Sequence, residues 1–166
     1  MRVRILAIDP GLRVCGVAEL VDGVLARAVL VVSPEKTARG GPAWVAMARA
    51  VTAAVSSWGA PCVLVVECPQ QYDAAHCRVD RADLSELSAV AGALCAVLGT
   101  GEVRTPAPRA WKGQVPKDVH NARTLARLTP DELACVVWPT VLGLRHNVTD
   151  AIGLGLWASR RGLPDH

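Results

Sequence analysis

Apolar and polar positions along the chain alternate between two periods, and each change of period marks a predicted element. Residues 3–9 (Val-Arg-Ile-Leu-Ala-Ile-Asp) are mostly apolar and run into Asp9-Pro10-Gly11, which predicts a buried strand closed by a turn. Residues 13–20 and 24–32 predict two more strands, and Asp22-Gly23 between them is a hairpin signal, so the chain should open as a three-stranded meander. Over residues 43–58 the period becomes helical, with Trp44, Ala48, Val51, Val55 and Trp58 on one stripe and Gly59-Ala60-Pro61 as its stop. Cys62 to Glu67 is a continuous apolar run ending in an acid. A strand that is apolar on both sides belongs in the middle of a sheet covered by helices.

Residues 82–98 predict a second helix. Its Leu84, Leu87, Ala91, Leu94 and Leu98 follow 3-4 spacing, a stripe that suits either a sheet or a partner helix in a dimer. A short strand is expected near 102–105, an irregular stretch from Pro106 to about 116, and a helix over 117–128. Thr129-Pro130-Asp131-Glu132 has the form of a short helix start. The last helix is predicted from about Asn147 to Arg161, with Gly162 and Pro164 beyond its end. This order describes one mixed α/β sheet with helices on its faces, in a single domain covering residues 1–166.

Composition narrows the class. Half the residues are apolar but none is Phe, so the core must be built from Val, Leu, Ala and Trp. The N-terminal apolar run is broken by Asp9, Pro10 and Gly11, and no apolar stretch is long enough to span a bilayer, so the expectation is a soluble cytoplasmic protein. Of the six cysteines none forms a C-x-x-C pair, which favours buried free thiols over a zinc site or a disulfide framework. The net charge is only +3, yet the segment from Arg104 to Arg127 holds six Lys/Arg against the single acid Asp118. That basic segment is either a solvated loop or the footprint of an anionic partner.

Three acids stand apart. Asp9 and Glu67 end strongly apolar strands, where an ionised carboxylate is expensive unless it is paired or bound to a metal, and Asp150 lies near the start of the last helix. If the first and fourth strands are neighbours, Asp9 and Glu67 converge, and carboxylates together select a hard cation such as Mg²⁺ or Mn²⁺. Each acid also has a plainer role. Asp9 can serve the turn, Glu67 can pair with an arginine, and Asp150 can sit behind an Asn147 cap and meet the helix dipole.

The segment Ile8-Asp9-Pro10-Gly11-Leu12-Arg13-Val14-Cys15-Gly16 resembles the opening strand-turn of RuvC-like Holliday junction resolvases of the ribonuclease H-like superfamily. Val65-Val66-Glu67 is similar to that family's fourth-strand glutamate. Arg145-His146-Asn147-Val148-Thr149-Asp150-Ala151-Ile152-Gly153-Leu154 resembles its C-terminal acidic helix, phage-type members being the nearest in appearance. The resemblance covers nearly the whole chain in order. It implies a five-stranded mixed sheet in the order 3-2-1-4-5 with helices on both faces, and Asp9, Glu67 and Asp150 as ligands of two Mg²⁺ ions, replaceable by Mn²⁺. Many relatives carry an acid or a histidine three residues before the last aspartate. Here that position is Asn147, preceded by His146, and both are candidates to complete the metal site, His146 also as a proton carrier.

Trp111-Lys112-Gly113-Gln114-Val115-Pro116-Lys117 resembles the family's lysine-bearing loop. By that resemblance Lys112 and Lys117 contact phosphate near the cut, with His120, Arg123 and Arg109 adding salt-sensitive affinity. Trp111 either stacks on a base or belongs to the core, and Tyr72 is a further candidate for DNA contact. The implied reaction is symmetric paired hydrolysis of a four-way DNA junction by a homodimer. Competing readings are a related nuclease for forks, flaps or RNA-DNA hybrids, a branched-DNA-binding protein without catalysis, and an actin-like ATPase fold. The last usually needs two such domains.

Overall fold

The computed structural model describes residues 2–35, 37–70 and 81–160. Strand β1 (Arg4–Asp9) sits between β2 (Val14–Val21) on one side and β4 (Val63–Val66) on the other. It pairs antiparallel with β2, Asp9 opposite Gly16, and parallel with β4, Ile8 opposite Val66. β3 (Val24–Val32) extends the sheet beyond β2, and β5 (Glu102–Arg104) lies parallel to β4 at the other side. The expected order 3-2-1-4-5 is present. A sixth strand, β6 (Val136–Val137), adds to it by pairing parallel with the outer edge of β3. The five-strand expectation is thereby corrected: two residues are too few to show a period, and this strand exists only because α5 delivers it to an open edge.

The hairpin forms where Asp22-Gly23 places it. Asp22 has φ 53° and Gly23 φ 80°, the two positive values that a tight turn matching strand twist requires. Buried at the middle of β2, Glu19 is reached by Arg4 at 3.3 Å and Arg27 at 3.1 Å, so its charge is paired from both flanking strands.

Helices cover both faces. On one, α1 (Gly41–Val55) and α2 (Arg81–Leu98) bury Met47, Val51, Val90 and Leu94 against Leu6, Ile8, Val17 and Leu64. The Ala91–Leu94–Leu98 part of the α2 stripe is thus used in the chain's own core. On the other face, α6 (Arg145–Ala158) lies across β1 and β2 with nearly every residue from Val148 to Ala158 buried. A helix that is apolar all round belongs inside, between the sheet and the smaller helices. Those are α4 (Lys117–Leu125) and α5 (Pro130–Ala134). α5 starts with a reciprocal capping box in which Thr129 Oγ1 accepts from the Glu132 amide and Glu132 accepts from the Thr129 amide. The second Glu132 oxygen accepts from the Leu25 amide, tying α5 to β3.

Two boundaries differ from the sequence reading. The stretch from Pro106 to 116 contains a short helix, α3 (Pro108–Lys112), with Pro108 at its start and Gly113 (φ 67°) just past its end. Proline at the start and glycine past the end are its sequence signal. The last helix begins at Arg145, because a 3₁₀ turn over Leu142–Leu144 leads directly into it. Asn147 is therefore inside the helix, its amide donating to the Leu144 carbonyl at 3.2 Å, and Asp150 lies in the second turn. The Asn-cap and dipole reading of these two residues is corrected accordingly. No helix among the described residues is long and apolar enough to cross a membrane. No disulfide joins the five described cysteines, of which only Cys15 is buried and Cys135 is exposed.

Candidate active site

Register alone brings two of the acids together. β1 and β4 run parallel and end side by side, and the Glu67 amide donates to the Ile8 carbonyl at 3.0 Å, so Asp9 and Glu67 leave the sheet as neighbours. The turn after Asp9 is held by Cys15, whose Sγ accepts from the Gly11 amide at 3.3 Å. Burial pushes that thiol up to about 12, which keeps it neutral and structural. Asp150 arrives from above on α6, which approaches β2 so closely that a Cβ on Gly16 would lie 1.9 Å from the Asn147 carbonyl oxygen.

The three carboxylates act on one another. Burial, then the charges of Glu67 and Asp150, hold the Asp9 carboxyl well above the usual carboxylate range, against the opposing pull of Lys112 and Lys117. Asp150 is buried, and its Oδ1 has no hydrogen-bond partner. Lys112 supplies the counter-charge: its ammonium is 3.1 Å from Glu67 Oε2 and 3.8 Å from Asp150 Oδ2. Burial opposes that ammonium, but the Glu67 and Asp150 charges, the hydrogen bond to Glu67 and the Asp9 charge outweigh it and raise its pKa.

A layer of neutral groups positions these charges. Trp111 donates its indole N–H to Glu67 Oε2 at 2.8 Å, and its ring meets His120 edge-on at 5.0 Å. His120 Nε2 lies 3.6 Å from Asp150 Oδ1 and 3.5 Å from Thr124 Oγ1. Burial lowers the His120 pKa despite Asp150, aided by Lys112 and Arg127, so the imidazole is neutral at pH 7. Gly153 makes room for this layer, since a Cβ there would meet Trp111, His120 and Thr124 at 3.0–3.1 Å. Replacing Trp111 by Phe removes a hydrogen bond to a charged acceptor, of the kind that contributes about 1.5–3 kcal/mol. In chelator the variant should melt roughly 3–10 °C lower by circular dichroism. An unchanged midpoint would mean that the indole does not hold Glu67.

The other sequence candidates are distributed around this centre. A cavity of about 340 Å³ opens over Asp150 and is lined by Arg109, Lys112, Lys117 and His120, which makes its wall basic. Arg123 stands behind it, in a smaller recess with Trp111, Arg127 and Trp157. The structure brings Asp9, Glu67, Asp150, Lys112, Trp111 and His120 together. It does not bring His146 to the acids, because that side chain lines a different cavity with Trp138 and Leu142. Asn147 is next to β2, and Tyr72 lies outside the described residues. The Trp111–Glu67 link and the His120–Asp150 approach went unseen in the sequence, because neither pair is close along the chain.

Donor chemistry here fits a hard divalent cation: three converging carboxylates, one with a buried oxygen left without a donor, in a site that already disfavours their combined charge. Among the described residues no three His, Cys, Asp or Glu side chains are already gathered into a closed ligand set, and the Lys112 ammonium stands between two of the acids instead.

No protein-family model matches the chain, and no curated protein matches it in sequence. Solved structures do share its shape. RuvC of Thermus thermophilus in complex with a Holliday junction substrate superposes with a TM-score of 0.67 at 16% identity, covering 97% of each chain. A second Thermus thermophilus RuvC structure gives 0.61 at 14% identity, over 93% of this chain and 92% of that one. The yeast mitochondrial Holliday junction resolvase Ydc2 gives 0.50 at 12% identity, over 95% and 79%. The fold is therefore the ribonuclease H-like α/β fold of these proteins.

Proposed function

We propose that this chain is a divalent-metal-dependent endonuclease that resolves four-way DNA junctions. The observation that carries the reading is the convergence of Asp9, Glu67 and Asp150 under a basic wall, on a fold shared with two junction resolvases. Asp9, Glu67 and Asp150 are the proposed ligands of two Mg²⁺ ions. When bound, the metal supplies a water nucleophile at neutral pH and charge stabilisation for the leaving oxygen. The chain's own residues do the rest. Trp111 fixes the Glu67 carboxylate, and His120 borders the unpartnered oxygen of Asp150. Lys112 offers its ammonium to the acids without metal, and to the scissile phosphate once the acids are otherwise neutralised. Arg109 and Lys117 extend that wall for the flanking phosphates. Two symmetric cuts call for two copies of the site, hence a homodimer.

The test uses a labelled four-way junction and a linear duplex of the same sequence, each with Mg²⁺. Paired nicks placed symmetrically on the junction alone are expected, with 5′-phosphate ends. Equal cutting of both substrates removes the resolvase and keeps a nuclease. Binding of the junction without cleavage, in Mg²⁺ or Mn²⁺, removes the enzyme.

A further inference from the structure

A second cavity, of about 640 Å³, adjoins the one above Asp150 at Lys117 and has Leu125, Trp138 and Leu142 as its apolar lining. Arg145 lies over the Trp138 ring at 5.7 Å and, with Lys117, gives the rim two cations; Asp118 is its only acid. Asn121 lines the same space from α4. An apolar lining beside two cations suits a ligand with flat apolar faces and an attached anion.

We propose that this cavity takes one unstacked nucleobase of the DNA strand whose neighbouring phosphate lies over the acids. Lys117 lines both cavities, so a single strand can pass from one to the other with its phosphate on that ammonium. Apolar faces then rest against Trp138 and Leu142, while Arg145 meets the next phosphate. A base within a duplex is held by stacking and pairing, and extracting it is least costly where the helix is already interrupted. The cavity thereby gives the nuclease, on whose assignment this inference rests, a preference for branch points that the acids alone do not supply.

The experiment measures binding rather than cutting, in Ca²⁺, by fluorescence anisotropy. Four-way junctions carry a single abasic residue at each position in turn near the branch. One position should weaken wild-type binding by roughly ten-fold, in line with the loss of one stacked base. Leu142→Asp should bind the intact junction more weakly and lose sensitivity to that position, and Leu142 is exposed, so its replacement leaves the fold intact. Abasic residues that weaken wild-type binding nowhere, or equally everywhere, would overturn the pocket while the nuclease reading stands. A Leu142→Asp variant that keeps the wild-type sensitivity would overturn it too. Failure to bind any DNA would overturn both.

Discussion

Asp9→Asn should abolish metal-dependent cleavage of the junction, by about 10²–10⁴-fold, while junction binding in Ca²⁺ is retained. A metal site contributes several kcal/mol of charge stabilisation to phosphodiester hydrolysis, and each 1.36 kcal/mol is ten-fold in rate. Asp9 is the acid placed between the other two electrostatically, since both raise its pKa. The same fact yields a stability effect of opposite sign. Because the folded pKa lies above the unfolded one, ionised Asp9 opposes folding. Without metal, wild-type stability should fall as pH rises from the ordinary carboxylate range through the raised value, and no such loss exists below the ordinary value. Asn at this position removes the charge. In chelator at neutral pH the variant should therefore melt higher than wild type, and the two should converge in acid. Mg²⁺ should raise the wild-type midpoint at neutral pH and leave the variant nearly unmoved. A variant that melts lower than wild type in chelator, or that still cuts, would remove Asp9 from the metal site.

Gly16→Ala should be the most damaging added methyl among the described glycines. The added Cβ would sit 1.9 Å from the Asn147 carbonyl oxygen and 2.4 Å from its carbon, so the obstacle is backbone and no side chain can rotate away. Either β2 or the start of α6 must move by more than an ångström, and α6 carries Asp150. Overpacking of this kind costs about 1–3 kcal/mol and sometimes more, and a displacement of about 1 Å in a reacting constellation can cost about 10²-fold in rate. Chemical denaturation should register the first effect and junction cleavage the second. Gly92→Ala is the control. Gly92 lies mid-helix in α2 with nothing within 4 Å of the added carbon, and the same change there should stabilise by about 0.5–1 kcal/mol. Equal behaviour of the two variants would mean that α6 does not depend on close approach at Gly16.

Much of this molecule is legible without coordinates because its signals are local. The strand ending at Asp9, the hairpin at Asp22-Gly23, the apolar run into Glu67 and the capping box at Thr129 each depend on residues a few positions apart. Side-chain period and turn chemistry therefore determine them. The three acids stood out by their places at strand and helix ends, while the order of the sheet and their expected role as metal ligands followed from a resemblance spread along the whole chain. What sequence could not supply was any partnership across it. The indole of Trp111 reaches Glu67 forty-four positions away, and a short helix stands where two prolines suggested only irregular chain. Which histidine faces Asp150 was also undecided. His146 is four residues before it on the same helix, but one turn further along the axis, where it lines the cavity with Trp138, whereas His120 comes from a neighbouring helix packed against Gly153. A helix fixes only the angles between its own side chains. Which of those directions faces the acids is decided by how closely α6 can lie on the sheet. The missing side chains of Gly16 and Gly155 set that distance, and that of Gly153 makes room for Trp111 and His120.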